Sequence, residues 1–423
     1  MAEDHATLTG QPPRAGRPVL GAPFWRLWTS SGLSNLADGV VKIALPLMAI
    51  RFTDSPMLVA GLALALSLPW LFFALPAGAL ADRLDRRRAM VGANVFRAAV
   101  LGVLALSLVS GIGSIWVLYA VALAIGIAET IYDTSAQSIL PQVVPRDLLS
   151  RANGRLHAAE LTANQFIGPP LGGLLVAVGA AVAFATPAAL WAVAVGVLLL
   201  VRGRFRVERK QRTTMRADIA EGLRFLWGHR VLRTLAVMVG VFNFASNAVW
   251  AVLVLFAVGP GSAMGLSEPG FGLLLTTVAV GSLVGALVAE RVERWLGRAR
   301  SLAVAIVGST FLIGAPAVTT DPFLLGAGFF VGGATVAVWN VITVSLRQRI
   351  APERLLGRVN SGYRLLAWGT MPLGAAAGGV LAELLGFRAV FAIMALVTLC
   401  LVLAMVRLTD DTVDAAERAA DQS

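Results

Sequence analysis

The feature that most constrains this chain is a succession of apolar runs joined by short polar links. Each run is about 20 residues long, enough to cross the hydrocarbon core of a bilayer as a helix. In lipid every backbone N–H and C=O must be satisfied internally, so such runs form helices rather than open strands. Twelve are expected, near 26–50, 56–81, 89–110, 114–137, 153–177, 180–201, 232–258, 269–290, 300–318, 322–346, 361–384 and 387–407. Composition agrees: 57% of the residues are hydrophobic and 14% charged, whereas a soluble domain carries about a quarter charged residues.

The net charge of +11 does not point to nucleic acid, because the arginines are gathered in links between apolar runs. That is the pattern that orients membrane helices. The links near 82–88, 139–153, 202–231, 291–300 and 347–360 are rich in Arg, while those near 111–113, 178–179, 259–268 and 319–321 have neither Lys nor Arg. Arg51 and Arg388 are exceptions. Both tails and the Arg-rich links are therefore expected in the cytoplasm. Residues 1–24 read as a disordered tail, 202–231 as a basic linker and 408–423 as a loose acidic tail. Within the linker, 215–227 reads either as an amphipathic helix on the inner leaflet or as a tether. The single cysteine and three scattered histidines offer no disulfide or metal cluster. No phosphate-binding G-x-x-x-x-G-K-S/T loop occurs, so neither ATP nor another cofactor is expected.

The chain repeats itself with a shift of about 207 residues. S-G-L-S-N-L-A-D-G at 31–39 parallels V-G-V-F-N-F-A-S-N at 239–247, aligning Asn35 with Asn243. G-A-L-A-D-R-L-D-R at 78–86 parallels G-A-L-V-A-E-R-V-E-R at 285–294, and 145–153 parallels 352–360. G-P-P-L-G-G-L-L at 168–175 parallels G-A-A-A-G-G-V-L at 374–381. The expectation is an all-α integral membrane protein of two pseudo-symmetric six-helix halves, 25–201 and 232–407. Substrate sites in such proteins lie between the repeats near the midplane.

With these motifs in place, the chain resembles the major facilitator superfamily over about 25–407. G-A-L-A-D-R-L-D-R-R-R at 78–88 is similar to its loop between helices 2 and 3, and N-Q-F-I-G-P-P-L-G-G at 164–173 is similar to the helix 5 motif of its exporters. The wider stretches around both motifs resemble the bacterial branch of macrolide and enterobactin exporters. The sequence departs from the family at Asp85, where Gly is common, and at Asn164, which replaces the first Gly of the second motif. Helix 4 also lacks the R-x-x-x-G of many proton-coupled drug exporters. The resemblance implies the major facilitator fold, a monomer, and proton antiport without a bound cofactor. It also implies a cytoplasmic latch made of Gly78, Asp82, Arg83, Arg86 and the helix 4 acid Asp133.

Charges inside a bilayer are costly, so the few present need a partner, a wet cavity or a function. Asn35, Asp38 and Lys42 share one face of the first helix. They read either as a cavity stripe with Asp38 as proton carrier or as a structural ion pair. Glu129, one turn before Asp133, is the second candidate carrier, and Glu160 is a third that could instead pair with Arg364 or Arg97. Arg97 and Arg364 read by default as snorkelling to the interface. Asn243, Asn247 and Trp250 form a facing stripe on the seventh helix, and Tyr363 and Trp368 add aromatic surface to the cavity. Gly168, Pro169, Pro170, Gly172 and Gly173 read as a close-packing seal or pivot.

The sequence thus leads to a transporter of the bacterial inner membrane that exports small amphipathic organic molecules in exchange for protons. A uniporter or importer of a small polar metabolite is the alternative, and a non-transporting receptor or scaffold is the alternative of a different class.

Overall fold

The computed structural model describes residues 20–83, 85–145, 148–203, 205, 215–259, 261–352 and 355–421. The described chain is helical apart from turns and one isolated bridge between Val258 and Leu266. The first helices are α1 (Ala22–Ala49), α2 (Pro56–Arg83), α3 (Arg86–Val109), α4 (Ile115–Val143) and α5 (Leu149–Glu160). A π-helical stretch, Leu161–Ile167, joins α5 to α6 (Gly168–Val178), and α7 spans Ala180–Leu199. Beyond the linker come α8 (Met215–Gly228), α9 (Arg230–Ala257), α10 (Glu268–Leu296), α11 (Arg298–Val318), α12 (Pro322–Ile350), α13 (Leu356–Gly369) and α14 (Met371–Leu385). The chain closes with α15 (Phe387–Cys400), a 3₁₀ stretch Leu401–Arg407 and α16 (Asp410–Asp421).

Ten helical segments among the described residues are long and apolar enough to cross a membrane, counting 151–178, 358–385 and 387–407 as single rods. Outside that set, α1 and α2 have 28 residues each, about 42 Å at the usual helical rise. α1 carries Arg26, Asp38 and Lys42, which lower its apolarity.

Local sequence explains the ends and breaks of these rods. Ser114, Ser267 and Asp321 each accept a hydrogen bond from a free backbone N–H of the helix they precede. Gly297 and Gly386, with φ of 77° and 81°, reverse the chain in a region that favours glycine. The π-helical stretch lies directly before Gly168-Pro169-Pro170. Two adjacent prolines remove two backbone donors and clash with the preceding turn, and the wider π turn accommodates that loss. The matching rod of the second half breaks at the same place, between α13 and α14, just before Pro372.

The apolar core has a telling shape. At the arginine-poor end one continuous cluster joins the ends of α1, α3, α9 and α11 to the beginnings of α2, α4, α10, α12 and α15. At the arginine-rich end the core divides. One cluster unites α1, α3, α4, α5 and α7, and another unites α8 to α13 with α16.

Two polar segments differ from expectation. The segment after Leu408, read as loose, is helix α16 docked on the bundle, with Val413 fully buried. Arg298 holds it through Asp414 at 3.1 Å and Glu417 at 2.9 Å, and Asp410 accepts the Ala299 N–H. In the linker, α8 packs on α13 through Leu226 and Gly222, and Glu221 pairs with Arg358.

Candidate functional site: a buried charge cluster between α1, α3 and α4

α1 is brought close to α4 and α6 and packs along α7, and α3 packs against both α4 and α7. This arrangement sinks five ionisable side chains into one region. Asp38 is almost fully buried and accepts a hydrogen bond from Arg97 Nη1 at 2.7 Å. Arg97 is 0% exposed, with its guanidinium 4.8 Å above the Tyr132 ring and 5.2 Å from the Trp191 ring. Its Nε and Nη2 have no hydrogen-bond acceptor among the described residues, so the aromatic faces take the place of water around the cation. Beside this pair, Lys42 Nζ lies 3.5 Å from Glu129 Oε1. Lys42 is 48% exposed and Glu129 15%, so the second pair opens towards solvent while the first does not. Asp133, one turn further along α4, lies within electrostatic reach of Asp38, Arg97, Lys42 and Glu129.

Two expectations change here. Asp38 takes Arg97 as its partner rather than Lys42, which turns to Glu129. Arg97 does not snorkel: twelve residues beyond the α3 N-cap Asp85, it lies about 18 Å into the helix, beyond the reach of its own stem. Glu160 stands apart from the cluster, half exposed and 3.4 Å from His157 Nδ1.

The facing stripe on α9 is polar but uncharged. Asn243 Nδ2 donates to the Ala367 carbonyl of α13 at 2.7 Å, and Asn247 Nδ2 donates to the Asn243 carbonyl at 2.9 Å. Trp250 packs on Phe329, Trp368 meets Trp70 edge-to-face at 5.2 Å, and Tyr363 lies 4.0 Å from the Arg347 guanidinium. Asn35 donates within its own helix, to the Ser31 carbonyl.

At the arginine-rich end, α2 runs to Arg83 and α3 starts at Arg86. The surroundings of Gly78 and the side chains of Asp82, Arg83 and Arg364 lie outside the described residues. Asp85 has a role of its own: Oδ1 accepts the Arg88 N–H at 3.1 Å and Oδ2 accepts the Phe205 N–H at 2.9 Å. The Arg86 N–H in turn donates to the Phe205 carbonyl, so the loop is tied to the start of the linker. Asp85 therefore caps α3 and fastens the linker, two tasks a glycine at this position could not perform.

The glycine motif sits where helices pack backbone to backbone. A Cβ on Gly168 would lie 2.7 Å from Gly39 Cα, and one on Gly172 3.0 Å from the Val40 carbonyl. A Cβ on Gly173 would overlap the Glu268 backbone, and Pro169 faces Gly272, so the same rod also touches α10. Its repeat counterparts do the same on the other side, Gly374 and Gly378 against α9 and Gly379 against the start of α2. At this end Arg51 pairs with Glu268 at 3.0 Å, and Ser55 Oγ donates to Glu383 at 3.2 Å. Arg51, anomalous in the linker charges, is thus explained by its partner. No group of three or more metal-ligating side chains occurs among the described residues.

Comparisons with known proteins agree with this architecture. Residues 17–423 match the family described as transmembrane secretion effector. The multidrug efflux pump Tap of Mycobacterium tuberculosis (strain ATCC 25618 / H37Rv) is 31% identical over 408 residues, covering 91% of this chain and 93% of that protein. Macrolide efflux protein A of Streptococcus pyogenes is 22% identical, covering 89% and 94%. Among solved structures, the nucleoside transporter NupG superposes with a TM-score of 0.75 at 13% identity, covering 91% and 98%, a likeness of fold. The chain is a multi-pass membrane protein that belongs to the transmembrane secretion effector family, within the exporter branch of the major facilitator superfamily.

Proposed function

We propose that this protein is a twelve-helix secondary transporter that exports amphipathic organic molecules in exchange for protons, by alternating access between two six-helix halves. Both termini face the cytoplasm of a bacterial inner membrane, and a monomer suffices. The observation that carries the reading is the buried Asp38–Arg97 pair beside the more open Lys42–Glu129 pair. Three carboxylates face two cations in this cluster, leaving one excess negative charge when all are ionised. One proton neutralises it, and a neutral cluster is far cheaper to hold in low dielectric than a charged one. Asp38 is the first site for that proton and Glu129 the second, while Glu160 ranks below both. Protonating Asp38 removes the charge that Arg97 is paired with, which gives the helices a reason to rearrange.

Alternating access is supported by the core that is single at one end and divided at the other. The paired glycine rods at α1–α6–α10 and α9–α14–α2 supply a matched seal at the undivided end. Asp82, Arg83, Arg86 and Asp133 would form the latch when the opposite end closes. The relatives' printed activities, multidrug and macrolide efflux, favour export over uptake.

The test is uptake by inverted membrane vesicles of a panel of macrolides, catecholate siderophores and lipophilic cations under an imposed pH gradient. Accumulation of one class that a protonophore abolishes is the expected result. Gradient-independent equilibration would favour a uniporter.

A further inference from the structure

The two halves can be brought into register by counting from their helix caps. Arg97 is the twelfth residue after the α3 N-cap Asp85, and Ser309 is the twelfth after the α11 N-cap Gly297. By the same count from Ser114 and Asp321, Tyr132 corresponds to Trp339 and Asp133 to Asn340. Asp38, three residues beyond Asn35, corresponds to Ser246, three beyond Asn243. Every charge of the first cluster has a neutral counterpart in the second half.

The shortened side chains leave room. Where Arg97 fills the space between Tyr132 and Trp191, the second half has a cavity of about 80 Å³ bounded by Asn243, Ser309, Val336, Trp339 and Asn340. A water molecule has a share of about 30 Å³, and a cavity of about 150 Å³ takes benzene. The space therefore suits an end group of roughly three heavy atoms, the size of a carboxamide.

Its polar edges are specific. Ser309 spends its hydroxyl donor on the Ile306 carbonyl and Asn243 one amide N–H on the Ala367 carbonyl, leaving both side-chain oxygens as acceptors. The Trp339 indole N–H and the exposed Asn340 carboxamide have no hydrogen-bond partner among the described residues, so donors are available beside those acceptors. Among the described residues, no charged side chain lines the cavity. Among these residues a carboxylate or phosphate would find no cation, and an ammonium no anion. We propose that this cavity seats the uncharged, hydrogen-bonding end of the transported molecule, a carboxamide or a hydroxyl group. The proposal rests on the export reading and adds a division of labour: protons in the first half, the neutral polar end of the substrate in the second.

Two probes separate the possibilities. Chloramphenicol is a neutral amphipath with carboxamide and hydroxyl groups; tetraphenylphosphonium is a lipophilic cation with no hydrogen-bonding group. Binding of each to the full-length protein in lipid nanodiscs would be titrated for wild type, Asn340→Leu and the cavity-filling Ser309→Leu, which leaves Asn340 untouched. The expected result is a loss of about tenfold for chloramphenicol in both variants, with tetraphenylphosphonium changed less than about twofold. Unchanged chloramphenicol affinity, or parallel loss of both probes, overturns the proposal. Wild-type binding of tetraphenylphosphonium alone overturns it while leaving the export reading intact. Failure of the wild type to bind chloramphenicol overturns the proposal, while the vesicle uptake panel decides the export reading separately.

Discussion

Replacing Arg97 by Met tests the buried cluster most severely. The substitution keeps a long side chain between Tyr132 and Trp191 but removes the cation that holds Asp38 at 2.7 Å. Removing one partner of a buried ion pair costs about 3–5 kcal/mol, because the other charge is left uncompensated. The two aromatic contacts add about 0.5–2 kcal/mol each when desolvated. Lys42 is a poor substitute partner, since it is half exposed and already engaged with Glu129. The double variant Asp38→Asn/Arg97→Met removes both charges together, so it should lose much less than Arg97→Met alone. The expected coupling is at least about 2 kcal/mol, well above the roughly 0.5 kcal/mol within which independent sites add. Unfolding in mixed micelles, run as a four-member double-mutant cycle, reads this directly. Additive single effects, or an Arg97→Met protein as stable as wild type, would refute the burial argument.

Other consequences follow from the same geometry. Gly168→Ala places a methyl against Gly39 and must push α1 from α6; it should lower transport severely and cost about 1–3 kcal/mol, checked by flux and thermal unfolding of well-inserted protein. Glu268→Gln breaks an ion pair whose partners are 42% and 27% exposed, so stability should fall by no more than about 1 kcal/mol. Labelling of a cysteine placed near that end should nonetheless accelerate, and an unchanged rate would argue against a seal there. Val413→Asp should release α16 from the bundle and expose it to limited proteolysis, whereas intact protection would contradict the docking. His229, the α9 N-cap, is held below its usual range by burial. Its contribution to stability is thus present above the ordinary histidine range near 6.5 and declines as pH falls below it; His229→Asn should remove that part of the pH dependence.

Much of this was written in the sequence. Apolar run length and the arginine-rich links located the rods, and the repeats at 168–175 and 374–381 marked two of the places where helices touch through glycine. The charge cluster was only half legible. Asp38 and Lys42 on one face suggest a local pair, because sequence spacing reports neighbours along a helix and not partners across it. Arg97 was misjudged because a lone arginine in an apolar run looks the same whether it snorkels or is buried. Its distance from the Asp85 cap held the missing signal, since twelve residues of helix exceed the reach of the side chain. The docking of α16 was hidden by its acidic composition, although Leu408, Val413 and Ala416 lie on the side turned to the bundle. The neutral cavity was only partly legible: Asn243 stood out as a polar residue facing a cavity, but Ser309 gains meaning only when set against Arg97.

The central claim is that uphill export is coupled to protons through Asp38. The most direct measurement compares purified wild type and Asp38→Asn in liposomes, following a transported probe under an imposed pH gradient and, separately, by exchange with no gradient. The account predicts that wild type accumulates the probe, whereas Asp38→Asn exchanges it across the membrane but cannot concentrate it. Accumulation by Asp38→Asn to the wild-type level would contradict the account and move the proton to another group.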